Sequence, residues 1–130
     1  MAKAKVKVIN ETGIRENHRA DRNTYRQMFE ELTEGLREAG LGLLVEEDSL
    51  GSGFSYIFYQ PKNRATKTKR RNIVEIWPTY ALCGIDNTNV FDELVAKVHD
   101  EKAFEVVKNI TEKYSDKFKH IDKIRIHTYF

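Results

Sequence analysis

The N-terminal part of the chain changes from a strand pattern to a helix pattern. Valines alternate with lysines over Lys3–Asn10, which is the two-residue period of a half-buried strand. Residues 11–23 are polar and contain Gly13, so we expect a loop or an irregular helix entry there. From about Asp21 to Ala39 apolar residues recur every three or four positions, which predicts a helix that Gly40 ends. This apolar stripe consists of Tyr25, Met28, Phe29, Leu32, Leu36 and Ala39.

Three strand patterns follow, separated by residues that favour turns. Leu41–Leu50 is predicted to be a strand, and the glycines of residues 51–53 suit a hairpin turn because they tolerate positive φ. Phe54–Gln60 is apolar on both faces, so we expect it near the centre of a sheet. Asn72–Trp77 is the next predicted strand. Pro78 is expected to stop it, because proline cannot donate a hydrogen bond to a neighbouring strand.

The C-terminal part of the chain predicts two helices and a final strand. Residues 86–89 are all of the types that cap helix N-termini, and the apolar residues behind them fit one helical face. A second helical face begins at Ala103, out of phase with the first. We therefore expect two helices broken near His99, with Asp100 capping the second; one kinked helix is the alternative. Apolar and charged residues alternate over Ile121–Phe130, which predicts a strand.

The resulting element order is β-α-β-β-β-α-α-β in a single α+β domain spanning residues 1–130. A five-stranded antiparallel or mixed sheet, in one layer with about three helices packed on one face, would satisfy this order. The order resembles a ferredoxin-like arrangement with an added strand. That resemblance concerns topology alone, and such folds carry many different functions.

Composition predicts a cytoplasmic protein without a membrane segment. A chain of 130 residues can bury enough apolar surface to fold without disulfides or metals. The one cysteine, Cys83, has no partner within the chain, which favours a reducing compartment. No apolar run is long enough to cross a bilayer, and the N-terminus lacks the apolar core of a signal peptide.

Positive charge is concentrated in one segment between two predicted strands. The chain has 22 basic and 20 acidic residues, a net charge of +2. Six basic residues and no acidic residue lie within residues 62–71, and without those six the balance is 16 against 20, or −4. The segment is therefore the source of the positive balance. Its basic residues are Lys62, Arg64, Lys67, Lys69, Arg70 and Arg71.

This segment favours a binding function. Lysine and arginine neutralise nucleic-acid phosphates, and arginine also forms bidentate contacts. Tyr59 and Trp77 are predicted at the two bases of the loop, and Tyr80 lies nearby, so all three are candidates for stacking on bases. The first hypothesis is a non-enzymatic protein that binds DNA or RNA. The alternative is a protein-binding module, an inhibitor or an accessory subunit, that docks through this loop on an acidic protein surface.

Basic residues also alternate along the two predicted terminal strands. Lysines at 3, 5 and 7 lie on one face of the first, and Lys123, Arg125 and His127 lie on one face of the last. If these strands pair, one face of the sheet becomes strongly basic. The alternative, which we favour, is that these residues protect two edge strands against aggregation.

Catalysis and metal binding have weaker support. The four histidines lack zinc-site spacing, and Cys83 could act as a nucleophile only if the fold brought a histidine to it; a lone cysteine among apolar neighbours is more often a small buried residue. Glu46, Glu47 and Asp48 with Glu75 could approach one another, but three consecutive strand residues cannot all face one site. We expect no metal and no cofactor.

Overall fold

The computed structural model describes the backbone of residues 11–47, 54–83 and 88–130 and the side chains of residues 19–47, 54–79 and 92–130. Within these residues, seven elements occur in the order α-β-β-β-β-α-β. They are α1 (Glu11–Glu38), β1 (Leu44–Glu47), β2 (Tyr56–Gln60), β3 (Arg71–Cys83), β4 (Thr88–Val98), α2 (Glu101–Tyr114) and β5 (Lys123–Thr128). The strand predicted at 3–10 and the turn predicted at 51–53 lie outside the described residues.

The five strands form one mixed sheet in chain order. Strands β1 to β4 pair antiparallel, each with the next, and β5 pairs parallel to β4. The parallel pair requires a crossover, which α2 provides. The α+β class and the five-stranded mixed sheet are confirmed, whereas the predicted element order is wrong. The described residues contain two helices where about three were predicted. A sheet in sequential order also differs from a ferredoxin-like arrangement.

The helix predicted behind residues 86–89 is wrong, because this segment is strand β4. Leu94, Ala96 and Val98 are buried on the side of the helices, and Val95 is buried on the opposite side. β4 pairs with β3 on one edge and β5 on the other, so it lies inside the sheet. Val95, on the opposite face from Leu94 and Val98, completes with Phe91 a spacing of three and four residues, which fits a helical period as well.

Strand β3 continues through Pro78 to Cys83, so the predicted stop at this proline is wrong. Pro78 pairs with Leu94 of β4. On the other edge of β3, the described pairing with β2 ends at Ile76. Pro78 therefore lies where one edge of the strand has no described partner, the situation in which a sheet tolerates the missing N–H.

Helix α1 begins ten residues earlier than the predicted start at Asp21, because residues 11–20 are helical. Asp21 is fully buried inside the helix, and its carboxylate accepts hydrogen bonds from the backbone N–H groups of Lys119 (2.5 Å) and His120 (2.7 Å). The residue joins α1 to the segment before β5. Helix α2 was predicted correctly, with Asp100 accepting a hydrogen bond from the Lys102 N–H at 2.8 Å as its N-cap.

Both helices pack on the same face of the sheet. The predicted stripe of α1 supplies Tyr25, Met28, Leu32 and Leu36 to the core, and these meet sheet residues such as Phe58. The two helices approach closely at Gly35, where an added Cβ would lie 2.9 Å from Cγ1 of Val106. Beside this contact the Lys113 ammonium binds the Glu31 carboxylate. That carboxylate, together with burial, raises the pKa of Tyr114 to about 12.

The opposite face of the sheet, which we name the open face, has no described helix packed on it. Strand alternation and pairing assign to it Leu44, Glu46, Ile57, Tyr59, Glu75, Trp77, Thr79, Glu93, Val95, Lys97, Lys123, Arg125 and His127. None of these residues belongs to the hydrophobic cluster that the helices cover. The aromatic residues proposed for stacking therefore include two, Tyr59 and Trp77, that lie away from the main core.

Candidate nucleic-acid interface

The basic segment forms a two-stranded arm at one end of the sheet. We name residues 61–70 the basic arm; it joins β2 to β3, and every one of its residues is exposed. The pairing of β1 with β2 reaches Tyr59, and that of β4 with β3 reaches Val74. The arm therefore extends beyond the strands on both sides, so that an extended partner can approach it from several directions.

Backbone hydrogen bonds close the arm into an ordered hairpin. Asn63 and Thr68 exchange N–H···O bonds of 2.9 and 3.0 Å. The Asn63 side chain also accepts a hydrogen bond from the Ala65 N–H at 3.0 Å, a local bond that favours a turn. Lys67 completes the turn with φ of 56°, in the left-handed region that lysine rarely adopts. The charges of the arm are thus carried on a defined backbone.

Arg70 is held against the open face by two neighbours. Its guanidinium donates two hydrogen bonds to the Glu46 carboxylate, at 3.1 and 2.5 Å. The same guanidinium lies 3.8 Å from the centre of the Tyr59 ring. This pairing lowers the pKa of Glu46 and raises that of Arg70. Arg70 therefore links β1 to the base of the arm, and its charge is balanced within the protein.

Arg71 is also engaged within the protein. Its guanidinium donates to the backbone carbonyl of His99 at 3.0 Å and lies 3.5 Å from the Asp100 carboxylate. These contacts join the start of β3 to the residue that caps α2. Arg71 therefore fixes the base of the arm to the N-terminus of α2.

The other four cations of the arm have no ion pair with any residue that the structure describes. These are Lys62, Arg64, Lys67 and Lys69. The Gln60–Arg71 and Asn63–Thr68 pairs share one hairpin register, which sets Lys62 opposite Lys69. Like charges that face each other across a hairpin repel, and a bound anion would relieve that repulsion. The six predicted cations therefore divide into two that are paired and four that are available.

The three aromatic candidates occupy different positions. Tyr59 pairs with Asn72 at the base of the arm, as predicted. Trp77 is five residues further along β3, about 16 Å from Asn72, so it does not lie at the base. The backbone of Tyr80 belongs to β3, but its side chain lies outside the described residues.

Sequence reasoning missed a group of open-face residues that the sheet brings next to Trp77. Val95 pairs with Trp77, and the Lys97 ammonium lies 5.5 Å from the centre of the Trp77 ring. Arg125 pairs with Val95 from the other side. The prediction of a helix over these β4 residues hid the group. Glu93, Val95 and Lys97 alternate with Leu94, Ala96 and Val98, so a strand period was present in the sequence.

A carboxylate and a histidine also meet on the open face. Nε2 of His99 lies 2.9 Å from Oε2 of Glu75, and the His99 ring stacks on Tyr129 with centroids 5.1 Å apart. Within the described parts of the chain, no three His, Cys, Asp or Glu residues are grouped as metal ligands. The helices of those same parts include none that is both long and apolar enough to span a membrane.

Comparison of the chain with protein families, curated proteins and solved structures gives no significant match.

Proposed function

We propose that this protein binds nucleic acid through the phosphate backbone, with the basic arm as the contact element. The observation that carries the proposal is the division of charge on the arm. Arg70 and Arg71 fix its base, while four other cations project from an ordered and exposed hairpin. Phosphate contacts of this kind supply affinity without base recognition.

The distribution of charge over the chain supports the same proposal. Outside residues 62–71 the protein carries a net charge of −4, from 16 basic and 20 acidic residues. A polyanion would therefore be attracted to the arm and repelled by much of the remaining surface. This restricts binding to one orientation.

The test is a quadruple variant that leaves the anchoring arginines intact: Lys62→Gln, Arg64→Gln, Lys67→Gln and Lys69→Gln. A matched control removes the same number of charges at exposed positions away from the arm: Arg37→Gln, Lys102→Gln, Lys108→Gln and Lys119→Gln. Fluorescence anisotropy of a labelled oligonucleotide would measure binding at several salt concentrations.

We expect the wild type and the control to bind at low salt, with log affinity falling by about 3 per decade of salt if each arm cation contacts one phosphate. The arm variant should lose most of this affinity and this slope. Equal binding by the arm variant and the control would overturn the proposal, as would absence of binding by the wild type at low salt.

An acidic protein surface is the second candidate partner. The observation that favours it is Leu44 of β1, which is 51% exposed and pairs with Tyr59 at the base of the arm. Its neighbour Val45 is 38% exposed, so β1, at the edge of the described sheet, offers apolar side chains and an open strand edge to a protein partner. In affinity purification from the native host, a stoichiometric protein recovered without nucleic acid, and lost in a Leu44→Ser variant, would favour this candidate.

A further inference from the structure

The open face differs from an ordinary solvated sheet face in its balance of charge. Two of its three described carboxylates form ion pairs, Glu46 with Arg70 and Glu93 with Arg125 at 3.0 Å, and the third, Glu75, lies in hydrogen-bond contact with His99. Lys97 and Lys123 have no ion pair with any residue in the described ranges. With histidine counted as neutral, the three carboxylates stand against four cations, Arg70, Lys97, Lys123 and Arg125, so the balance of charge on this face is positive, as on the arm.

Trp77 is the aromatic side chain best placed on this face to receive a ligand. It is half-buried, and it lies against Val95, which is only 4% exposed. The Lys97 ammonium lies above the ring at 5.5 Å, a distance typical of a cation–π contact. A nucleobase can stack on a planar aromatic ring of this kind, and a cation next to the ring can contact the phosphate of the same nucleotide.

Tyr59 is a poorer platform, although it is nearer to the arm. The Arg70 guanidinium covers its ring at 3.8 Å. Two hydrogen bonds to Glu46 hold that guanidinium in position. A base could stack on this side of Tyr59 only by displacing a bidentate ion pair. At Trp77 a base would meet only the Lys97 ammonium. This ammonium can move aside without breaking an ion pair, because it has none with a described residue.

We propose that the nucleic acid is single-stranded and runs from the basic arm across the open face, with one of its bases stacked on Trp77. The inference rests on the proposed function and specifies its ligand. In a duplex each base is stacked on its neighbours, so only an unpaired strand can offer a free base to an aromatic ring. Lys97 contacts the phosphate beside the stacked base.

The distance between the two contact points sets the length of the strand. Lys67 at the tip of the arm precedes Trp77 by ten residues, which limits the distance between them to at most about 33 Å. A strand of about 12 nucleotides lies within the range of known single-strand sites and can cover this span. An oligonucleotide of that length is therefore the appropriate probe.

Trp77 is the only tryptophan of the chain, so intrinsic tryptophan fluorescence reports directly on the proposed contact. Three labelled probes of equal length separate the contributions: oligothymidine, an abasic strand with the same phosphates, and a duplex. Oligothymidine is expected to quench the fluorescence and to bind about tenfold or more tighter than the abasic strand. The abasic strand should bind the arm without quenching.

Two variants complete the test. Trp77→Leu should lower the affinity for oligothymidine until it equals the affinity for the abasic strand. The affinity of this variant for the abasic strand should be the same as that of the wild type. Trp77→Phe should still bind oligothymidine more tightly than the abasic strand, but by a smaller factor. If oligothymidine binds but neither quenches Trp77 nor responds to Trp77→Leu, the inference is overturned while the proposed function stands. Equal affinity for the duplex and oligothymidine would overturn it too. Absence of all binding would instead remove the proposed function itself.

Discussion

At the scale of single residues, the basic side chains of the arm and of Arg71, which follows it, have different tasks. Arg70 and Arg71 use the planar guanidinium to bind a carboxylate and a carbonyl of their own chain. Lys62 and Lys69 extend from the same hairpin without an ion-pair partner among the residues described. A charge-reversal experiment on the arginines would therefore disturb the fold and binding together. The lysines and Arg64 are the informative positions.

Asp21 illustrates a charged residue whose role is structural. Its fully buried carboxylate accepts hydrogen bonds from two backbone N–H groups. Asp21→Asn replaces one accepting oxygen by an amide that faces an N–H donor. We expect the free energy of unfolding to fall by about 2–3 kcal/mol, measured by urea denaturation.

Asp116→Asn is the matched control for this prediction, because Asp116 is exposed. It should change stability by no more than about 0.5 kcal/mol. Equal effects of the two substitutions would show that the Asp21 carboxylate does not stabilise the join between α1 and the segment before β5.

At the scale of elements, the arm is a hairpin that holds one residue in an unfavourable conformation. Lys67 has φ of 56°. A side chain in this region costs about 1–2 kcal/mol, whereas glycine adopts it freely. Lys67→Gly should therefore raise the free energy of unfolding by about 0.5–1 kcal/mol, after allowance for the greater freedom of glycine in the unfolded chain.

Lys69→Gly removes the same charge two residues away, where the backbone does not have positive φ. Here glycine gives no conformational relief, and stability should fall by about 0.5–1 kcal/mol. Thermal or urea denaturation of both variants would check the opposite signs. A change of the same sign in both would argue that the removal of charge, rather than the backbone of Lys67, controls the stability of the arm.

At the scale of the whole molecule, the two proposed contacts lie on one continuous surface. The arm extends from one end of the sheet, and the open face leads from its base at Tyr59 to Trp77. The helices occupy the other face and supply the core. Packing and the proposed binding therefore use separate sides of the sheet, so substitutions on the open face need not alter the helix-side core.

Binding to the folded state alone should stabilise the whole molecule by mass action. Oligothymidine at about 100 times its dissociation constant should add about 2.7 kcal/mol and raise the melting temperature by on the order of 10 °C. The quadruple arm variant should show no such shift, and the control with four distant charges removed should match the wild type. Differential scanning calorimetry would measure all three; an equal shift in the arm variant would contradict the prediction.

Predictability differed between parts of the chain according to how each part is buried. The core stripe of α1 and the alternation in β5 were predicted correctly, because each element is buried on one side and keeps its period. The Asp100 cap of α2 was predicted correctly because capping depends on residue type and on neighbours in the sequence. The helical residues 11–20 were missed because their polar sequence gives no periodic signal. β4 was taken for a helix because the apolar residues of its two faces together have a spacing of three and four residues.

The residues of the candidate site also differ in how far the sequence alone could predict their roles. The cations of the arm were identifiable from composition alone, since charge is a property of the residue. Their separation into anchored and available groups depends on Glu46, His99 and Asp100, which are distant in sequence. The group around Trp77 depends on the pairing of β3 with β4 and β5.

The sequence by itself determined the α+β class, the core face of α1, the capped helix α2 and the concentration of positive charge between two strands. Only the tertiary structure decided the element order, the exposure of both sides of the arm and the partners of its arginines. It also decided which aromatic side chains lie on the open face. The physical reason is that periodicity and charge are local properties, whereas pairing and burial depend on contacts between residues far apart in the chain.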